Sequence, residues 1–208
     1  MSGIIAQNTG RHSGLVKAAT AAGGEWTLIK TLTASADATL SFVDGADDVT
    51  LDGTYDEYCF KYINIHPGTD DRQLSFQGSI DGGSNYNITI TSDVFNAFHL
   101  ESDSGTPAVA NDDGSALQQV TSFTPILTNI GADNDQNGCG WLFLYAPAST
   151  TFIKQWVGRG VASTDDDGSV DAYCGGYLNT TSAVDAIQFK FLADGNIDSG
   201  TISLYGIG

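Results

Sequence analysis

The stretch Leu74-Ser75-Phe76-Gln77-Gly78-Ser79-Ile80-Asp81-Gly82-Gly83-Ser84-Asn85-Tyr86-Asn87-Ile88-Thr89-Ile90 alternates apolar and polar residues on both sides of a glycine-rich centre. Successive side chains of a strand point to opposite faces, so a period of two predicts two half-buried strands here. Asp81-Gly82 tolerates positive φ, which predicts a hairpin between them.

The same period recurs outward in both directions. Trp26, Leu28 and Leu32 share one parity, as do Leu40 and Phe42, then Tyr58, Phe60 and Tyr62, with Ile63 and Ile65 opposite. Phe152 and Trp156 follow, then Ile187, Phe189 and Phe191, and finally Ile202 and Leu204. Trp141-Leu142-Phe143-Leu144-Tyr145 has no polar interruption, which predicts a strand covered on both faces. Asp-Gly pairs stand between the runs at 44–45, 52–53, 81–82, 113–114, 167–168 and 194–195. Many short strands bounded by turn signals predict an antiparallel β-sandwich or a closed barrel. Residues 93–135 are less regular, and read as long loops or short edge strands. No repeat of about 20–50 residues is visible, which argues against a propeller or solenoid.

The chain has 208 residues, the size of one all-β domain. Lys and Arg number 8 against 25 acids, a formal net charge of −17, while 41 % hydrophobic residues suffice for a core. So acidic a body repels phosphate backbones and anionic headgroups, which excludes nucleic-acid and membrane partners. All the acids but Glu25, Glu57 and Glu101 are Asp, a residue that favours turns over helices. No basic segment followed by an apolar core opens the sequence, and no run approaches the ~18 apolar residues that span a bilayer. A soluble protein made in a reducing cytoplasm is expected. Cys59, Cys139 and Cys174 fit neither a disulfide framework nor a zinc spacing, and read as small core hydrophobes.

Residues 1–24 are set apart by charge. They hold Arg11, His12 and Lys17 and no acid, whereas residues 25–208 carry six Lys or Arg against 25 acids. Two apolar clusters, Ile4-Ile5 and Leu15-Val16, flank a polar stretch too sparse for a core of its own. Ser13 can cap a short helix over 15–22 that Gly23 ends; the alternative is an extended arm reaching ~80 Å at about 3.3 Å per residue. Either form needs a partner surface, so 1–24 reads as an N-terminal docking arm and 25–208 as the folded domain.

Catalytic motifs are scarce. GxSxG, HExxH, the P-loop and a helix-opening GxGxxG are absent, and His12, His66 and His99 stand apart. Asp133-Asn134-Asp135-Gln136-Asn137-Gly138 matches the first half of a calcium loop, which makes Asp133, Asp135 and Asn137 candidate ligands. Its twelfth position is Leu144 rather than a bidentate Glu, and a strand follows. Asp165-Asp166-Asp167-Gly168 is a second, weaker candidate. No cofactor is indicated.

Two segments resemble virion structural proteins of tailed bacteriophages, marine ones especially. One runs from Tyr55-Asp56-Glu57-Tyr58 through Ile63-Asn64-Ile65-His66-Pro67 and on across Leu74 to Tyr86; the other is Ala186-Ile187-Gln188-Phe189-Lys190-Phe191 with Gly195 to Ile207. The opening Met-Ser-Gly-Ile-Ile-Ala-Gln-Asn-Thr-Gly is similar to such proteins too. The resemblance implies a jelly-roll-like β-sandwich without enzymatic activity, used as a capsid decoration or cement protein, a head fibre or a tail-fibre module, with a homotrimeric state. On that reading Ile4, Ile5, Arg11, Leu15, Val16 and Lys17 dock on the major capsid protein or another virion protein, at the virion surface. The alternative is a carbohydrate-binding adhesin of a tail or head fibre, with Tyr55, Tyr86, Tyr173 and Tyr177 as sugar-stacking candidates, joined by Tyr58 and Trp156.

Overall fold

A computed structural model describes residues 24–102, 107–112, 114–193 and 195–208. The expected docking residues Ile4, Ile5, Arg11, Leu15, Val16 and Lys17 lie outside these. Among the described residues the regular structure is all strand: β1 (Trp26–Thr33), β2 (Leu40–Val43), β3 (Glu57–Pro67), β4 (Arg72–Ser79), β5 (Ile90–Leu100), β6 (Ala108–Asn111), β7 (Gln118–Val120), β8 (Thr124–Ile130), β9 (Gly138–Tyr145), β10 (Lys154–Thr164), β11 (Gly168–Leu178), β12 (Ala186–Phe191) and β13 (Ile197–Ile207).

All pairings are antiparallel, and they form two sheets. The small one runs β2-β12-β4-β8, and the large one runs β1-β13-β3-β9-β10-β11-β5, with β6 and β7 on the outer edge of β5. A single pair, Thr164 with Ile130, joins β10 to β8 where the chain turns from one layer to the other. Eight strands, β1 to β4, β8, β9, β12 and β13, pair first-eighth-third-sixth and second-seventh-fourth-fifth, which is the nested double Greek key of a jelly roll. The remaining strands widen the large sheet beyond that frame. The expected antiparallel sandwich is present.

Parity explains which residues fill the core. Phe60, Leu142, Leu144 and Trp156 of the large sheet face Phe42, Phe76 and Phe189 of the small one, and all are buried. Their rings meet at angles: Phe42–Phe60 at 5.3 Å, Phe60–Phe189 at 5.4 Å and Phe76–Trp156 at 5.0 Å between centroids. Such aromatic contacts add about 0.5–1.5 kcal/mol each beyond the area they bury.

The expected hairpin at Asp81-Gly82 does not form. β4 pairs with β12 and β8 in the small sheet, and β5 with β11 in the large one, so residues 80–89 cross between layers. Asp81 makes the turn tight instead, accepting the Asn85 backbone N–H at 2.9 Å and the Asn85 amide at 2.7 Å. Gln77 then anchors the crossing, its amide donating to the Ile88, Thr121 and Ser122 carbonyls. The true hairpin of this kind joins β10 to β11. Thr164 pairs with Gly168 around Asp165, Asp166 and Asp167, and Asp167 takes a left-handed φ of 56°. Residues 93–135, read as irregular, contain most of the eleven-residue β5 and all of the core strand β8.

A bulge corrects the parity of β1. The register shifts between Leu28 and Lys30, so Trp26 and Leu28 face outward while Leu32 pairs with Ile202 on the core side. Gly24 and Glu25 donate their backbone N–H groups to the Gly208 carbonyl at 2.8 and 3.2 Å, so the chain enters the sandwich beside the end of β13.

Two glycines are required where a large ring crosses the sheet. Gly140 of β9 and Gly160 of β10 are direct cross-strand partners, Tyr62 of β3 pairs with Gly140, and the Tyr62 hydroxyl donates to the Arg159 carbonyl at 3.2 Å. A Cβ on Gly140 would stand 2.5 Å from that hydroxyl and 2.7 Å from the Gly160 Cα. Gly140→Ala is expected to destabilise the fold by about 1–3 kcal/mol through overpacking. Urea denaturation measures it, and Tyr62→Phe, which only removes the hydroxyl, should cost about 1 kcal/mol.

Lys154 at the start of β10 is wholly buried, and its ammonium donates to the Phe152 and Thr180 carbonyls at 2.8 and 3.1 Å. Burial lowers its pKa below the ordinary 10.5. The folded state therefore binds this proton less tightly than the unfolded chain, and the resulting penalty is full below the folded pKa and disappears as pH rises toward 10.5. The urea midpoint of the protein relative to Lys154→Met should rise between neutral pH and about pH 10. A difference constant with pH would contradict it.

Candidate functional site

The outward face of the large sheet is where residue type departs most from expectation. An antiparallel sheet with one face on the core ordinarily turns polar side chains to water on the other. Here the Trp141-Leu142-Phe143-Leu144-Tyr145 run sends Leu142 and Leu144 into the core and the three aromatics outward. Among the described residues no second layer covers them, contrary to the expectation of a strand buried on both faces; Trp141 and Phe143 are half-buried by their neighbours and Tyr145 is exposed.

Register assembles these residues across strands. Lys61, Trp141, Arg159, Tyr173 and Phe95 stand in one row over β3, β9, β10, β11 and β5. A parallel row carries Tyr205, Cys59, Phe143 and Val157. The rings pack on one another: Trp26 meets Phe143 at 5.8 Å and Tyr205 at 5.6 Å, and Trp141 meets Phe143 at 5.0 Å. A shallow depression of about 270 Å³ lies on this face, lined by Cys139, Trp141, Arg159 and Val161 among others.

Arg159 is the polar centre of the face. Its Nε and a terminal nitrogen donate to the two Asp171 carboxylate oxygens at 3.0 and 2.7 Å, and its guanidinium lies 4.6 Å over the Tyr173 ring. Hydrogen bonding to Arg159 holds the Asp171 carboxyl below its usual range. Phe95 stacks parallel to Tyr173 at 4.9 Å. Since β10 and β5 flank β11 on opposite sides, Tyr173 has Arg159 against one ring face and Phe95 against the other.

The tyrosines expected as sugar-stacking candidates are not brought together. Tyr173 and Tyr177 share the outward face of β11, but Tyr173 has no open ring face for a sugar, and the Tyr177 hydroxyl accepts from the Gln119 amide at 3.2 Å. Tyr55 packs edge-on against Tyr58 at 5.7 Å, and the Tyr86 hydroxyl reaches over Gly83 in the turn after β4. Tyr58 and Trp156 are core residues.

The half calcium loop forms a turn. The Gln136 backbone N–H donates to the Asp133 carbonyl at 2.9 Å, and the Gln136 amide donates to the Thr164 carbonyl at 2.8 Å. Asp133 and Asp135 are exposed, Asn137 faces Cys139, and among the described residues no three His, Cys, Asp or Glu side chains group to hold a metal. Asp165 gathers with Asp70, Asp71 and Asp166 near the β10–β11 turn, and burial followed by these charges raises its pKa. A depression of about 280 Å³ nearby holds His99 and Asp166, but the Thr164 hydroxyl donates to Asp166 and the His99 Nδ1 lies 2.7 Å from the Leu100 carbonyl. Cys59 and Cys174 are buried, which pushes each thiol up to about 12 and leaves it unreactive at neutral pH.

Asp171, with its folded pKa lowered, stabilises the fold above the ordinary carboxylate range and loses that contribution as pH falls through the lowered value. Asp171→Asn is therefore expected to lower the urea midpoint at neutral pH, with the gap to the unaltered protein closing on acidification to about pH 2–3. A gap unchanged by pH would show that Arg159 does not hold the carboxylate.

The chain matches no protein-family model, no curated protein and no solved structure.

Proposed function

We propose that this chain is a non-enzymatic structural protein of a virion surface, a capsid decoration or cement protein that docks through residues 1–24 and turns its sandwich to solvent. The observation that carries the reading is the division of charge: an acid-free leading segment with paired apolar anchors ahead of a body with six bases and 25 acids. Ile4, Ile5, Leu15 and Val16 supply apolar contact to the major capsid protein or another virion protein, while Arg11 and Lys17 fix its register. A net negative body stays soluble and repels like-charged surfaces, which leaves the segment without acids to grip the particle.

The jelly-roll strand order supports the reading at the level of fold, since it recurs in viral capsid and lectin domains. The same order also suits an adhesin, which the test below separates. A homo-oligomer, trimeric by the resemblance to phage virion proteins, is part of the proposal.

Deletion of residues 1–24 is expected to abolish incorporation into particles while the strand signal in circular dichroism and the urea midpoint of the body are retained. Full occupancy on particles by the truncated protein would overturn the docking role. Specific binding of the body to a glycan array would favour the adhesin.

A further inference from the structure

We infer that the outward face of the large sheet is the surface through which a second copy of this chain binds. Its apolar side chains are too exposed to be a finished surface: Trp26 is 49 % exposed, Phe95 46 %, Val157 37 % and Val161 49 %. Isolated exposed apolar residues are ordinary, but a contiguous band of them across adjacent strands marks an interaction site. Its chemistry is that of an interface centre, with Trp, Tyr, Phe and Arg in place of the Asp that dominates elsewhere.

Charge selects the occupant. Two bodies of this composition repel, so copies can meet only where acids are few. The outward positions of the seven strands from β1 to β5 carry Lys61 and Arg159 against Glu57, Asp93, Asp171 and Asp198, a small excess of acid on a chain of −17, with Asp198 at the start of β13 beside His66. Arg159 and Asp171 already neutralise each other. A basic partner protein would be drawn to the acidic remainder instead of this face. A second copy meets it with far less like-charge penalty than elsewhere on the body, and the separated Lys61 and Asp93 let the face complement itself.

Area agrees. Seven strands about 4.8 Å apart and about eight residues long give a footprint of roughly 750 Å², close to the ~800 Å² that each partner buries in a standard interface. The rings brace one another, Trp26 and Trp141 edge-on against Phe143 and Phe95 stacked on Tyr173, so the apolar surface is held in place before a partner arrives.

Sedimentation equilibrium of the full chain tests this. The unaltered protein is expected to sediment as two or three chains at about 10 µM, within the usual range for an interface of this size. Val157→Asp with Val161→Asp adds two carboxylates at the centre of the contact and should weaken association ~100-fold or more. Thr39→Asp with Thr181→Asp adds the same charge at exposed positions off the face and should leave association unchanged. Trp26→Ser, a milder change at an exposed edge position, should weaken it about tenfold. A monomeric unaltered protein at about 100 µM, or a Val157/Val161 variant that keeps its oligomeric mass, overturns the inference. Loss of association on removal of residues 1–24, with the Val157/Val161 variant unaffected, would also overturn it, assigning self-association to the leading segment. None of these results depends on particle binding, so failure here and failure of the virion reading are told apart.

Discussion

The Tyr62 ring, laid across Gly140 and Gly160, is the contact on which both faces of the large sheet depend. Its hydroxyl holds the Arg159 carbonyl from the core side, while the Arg159 side chain stands on the opposite face against Asp171 and Tyr173. A slip of one residue in β10 would turn Arg159 toward the core and Trp156 to water. The penalty of an unpaired buried guanidinium forbids that register, and the two glycines forbid a slip that puts a side chain under Tyr62. Core packing and the composition of the outer face are thus set by one registry.

The strands added to the eight-strand frame make the face. β10 and β11 continue the sheet from the edge of β9, and β5 continues it from β11, so aromatics that would otherwise stand at a rim lie in the middle of a seven-strand surface. The edge at β1, unpaired among the described residues, is treated differently. Its bulge breaks the flat ladder after Leu28, a device that discourages edge-to-edge pairing. Edge pairing is discouraged while a broad apolar face is left open, a combination suited to face-on association.

Fold class was legible in the sequence because period two survives in most strands: Leu40 and Phe42, Tyr58, Phe60 and Tyr62, and Phe189 and Phe191 all lie on the core side as their spacing predicts. Connectivity was not, because hydrogen-bonding partners lie far apart in the chain; Thr31 and Ser203 share a hydrogen bond across 172 positions. Asp-Gly pairs located turns without revealing what they join. Asp81-Gly82 begins a crossing between layers, and the hairpin lies at Asp167-Gly168. The bulge that splits Trp26 and Leu28 from Leu32 leaves no mark in composition. The outer face was half legible: Trp141, Phe143 and Tyr145 advertised an apolar second side, but Arg159 and Phe95 join them only through cross-strand register.

The abundance of Asp has a structural cause that also shapes the surface. Asp44 accepts the Leu51 backbone N–H, Asp52 that of Thr54, Asp37 that of Ser35 and Asp112 that of Ser115, each closing a turn. Short carboxylates suit this because they reach backbone donors two to seven residues away at little cost in side-chain freedom. The hydrogen bonds lower the Asp52 and Asp81 pKa values, so these turns are firmest above the usual carboxylate range and loosen in acid. Turns lie at the ends of a sandwich, and strands supply its faces. Using Asp for the turns therefore concentrates negative charge at the ends and leaves few acids on the broad outer face, so a chain of −17 still carries one broad surface where aromatic and aliphatic side chains outnumber carboxylates.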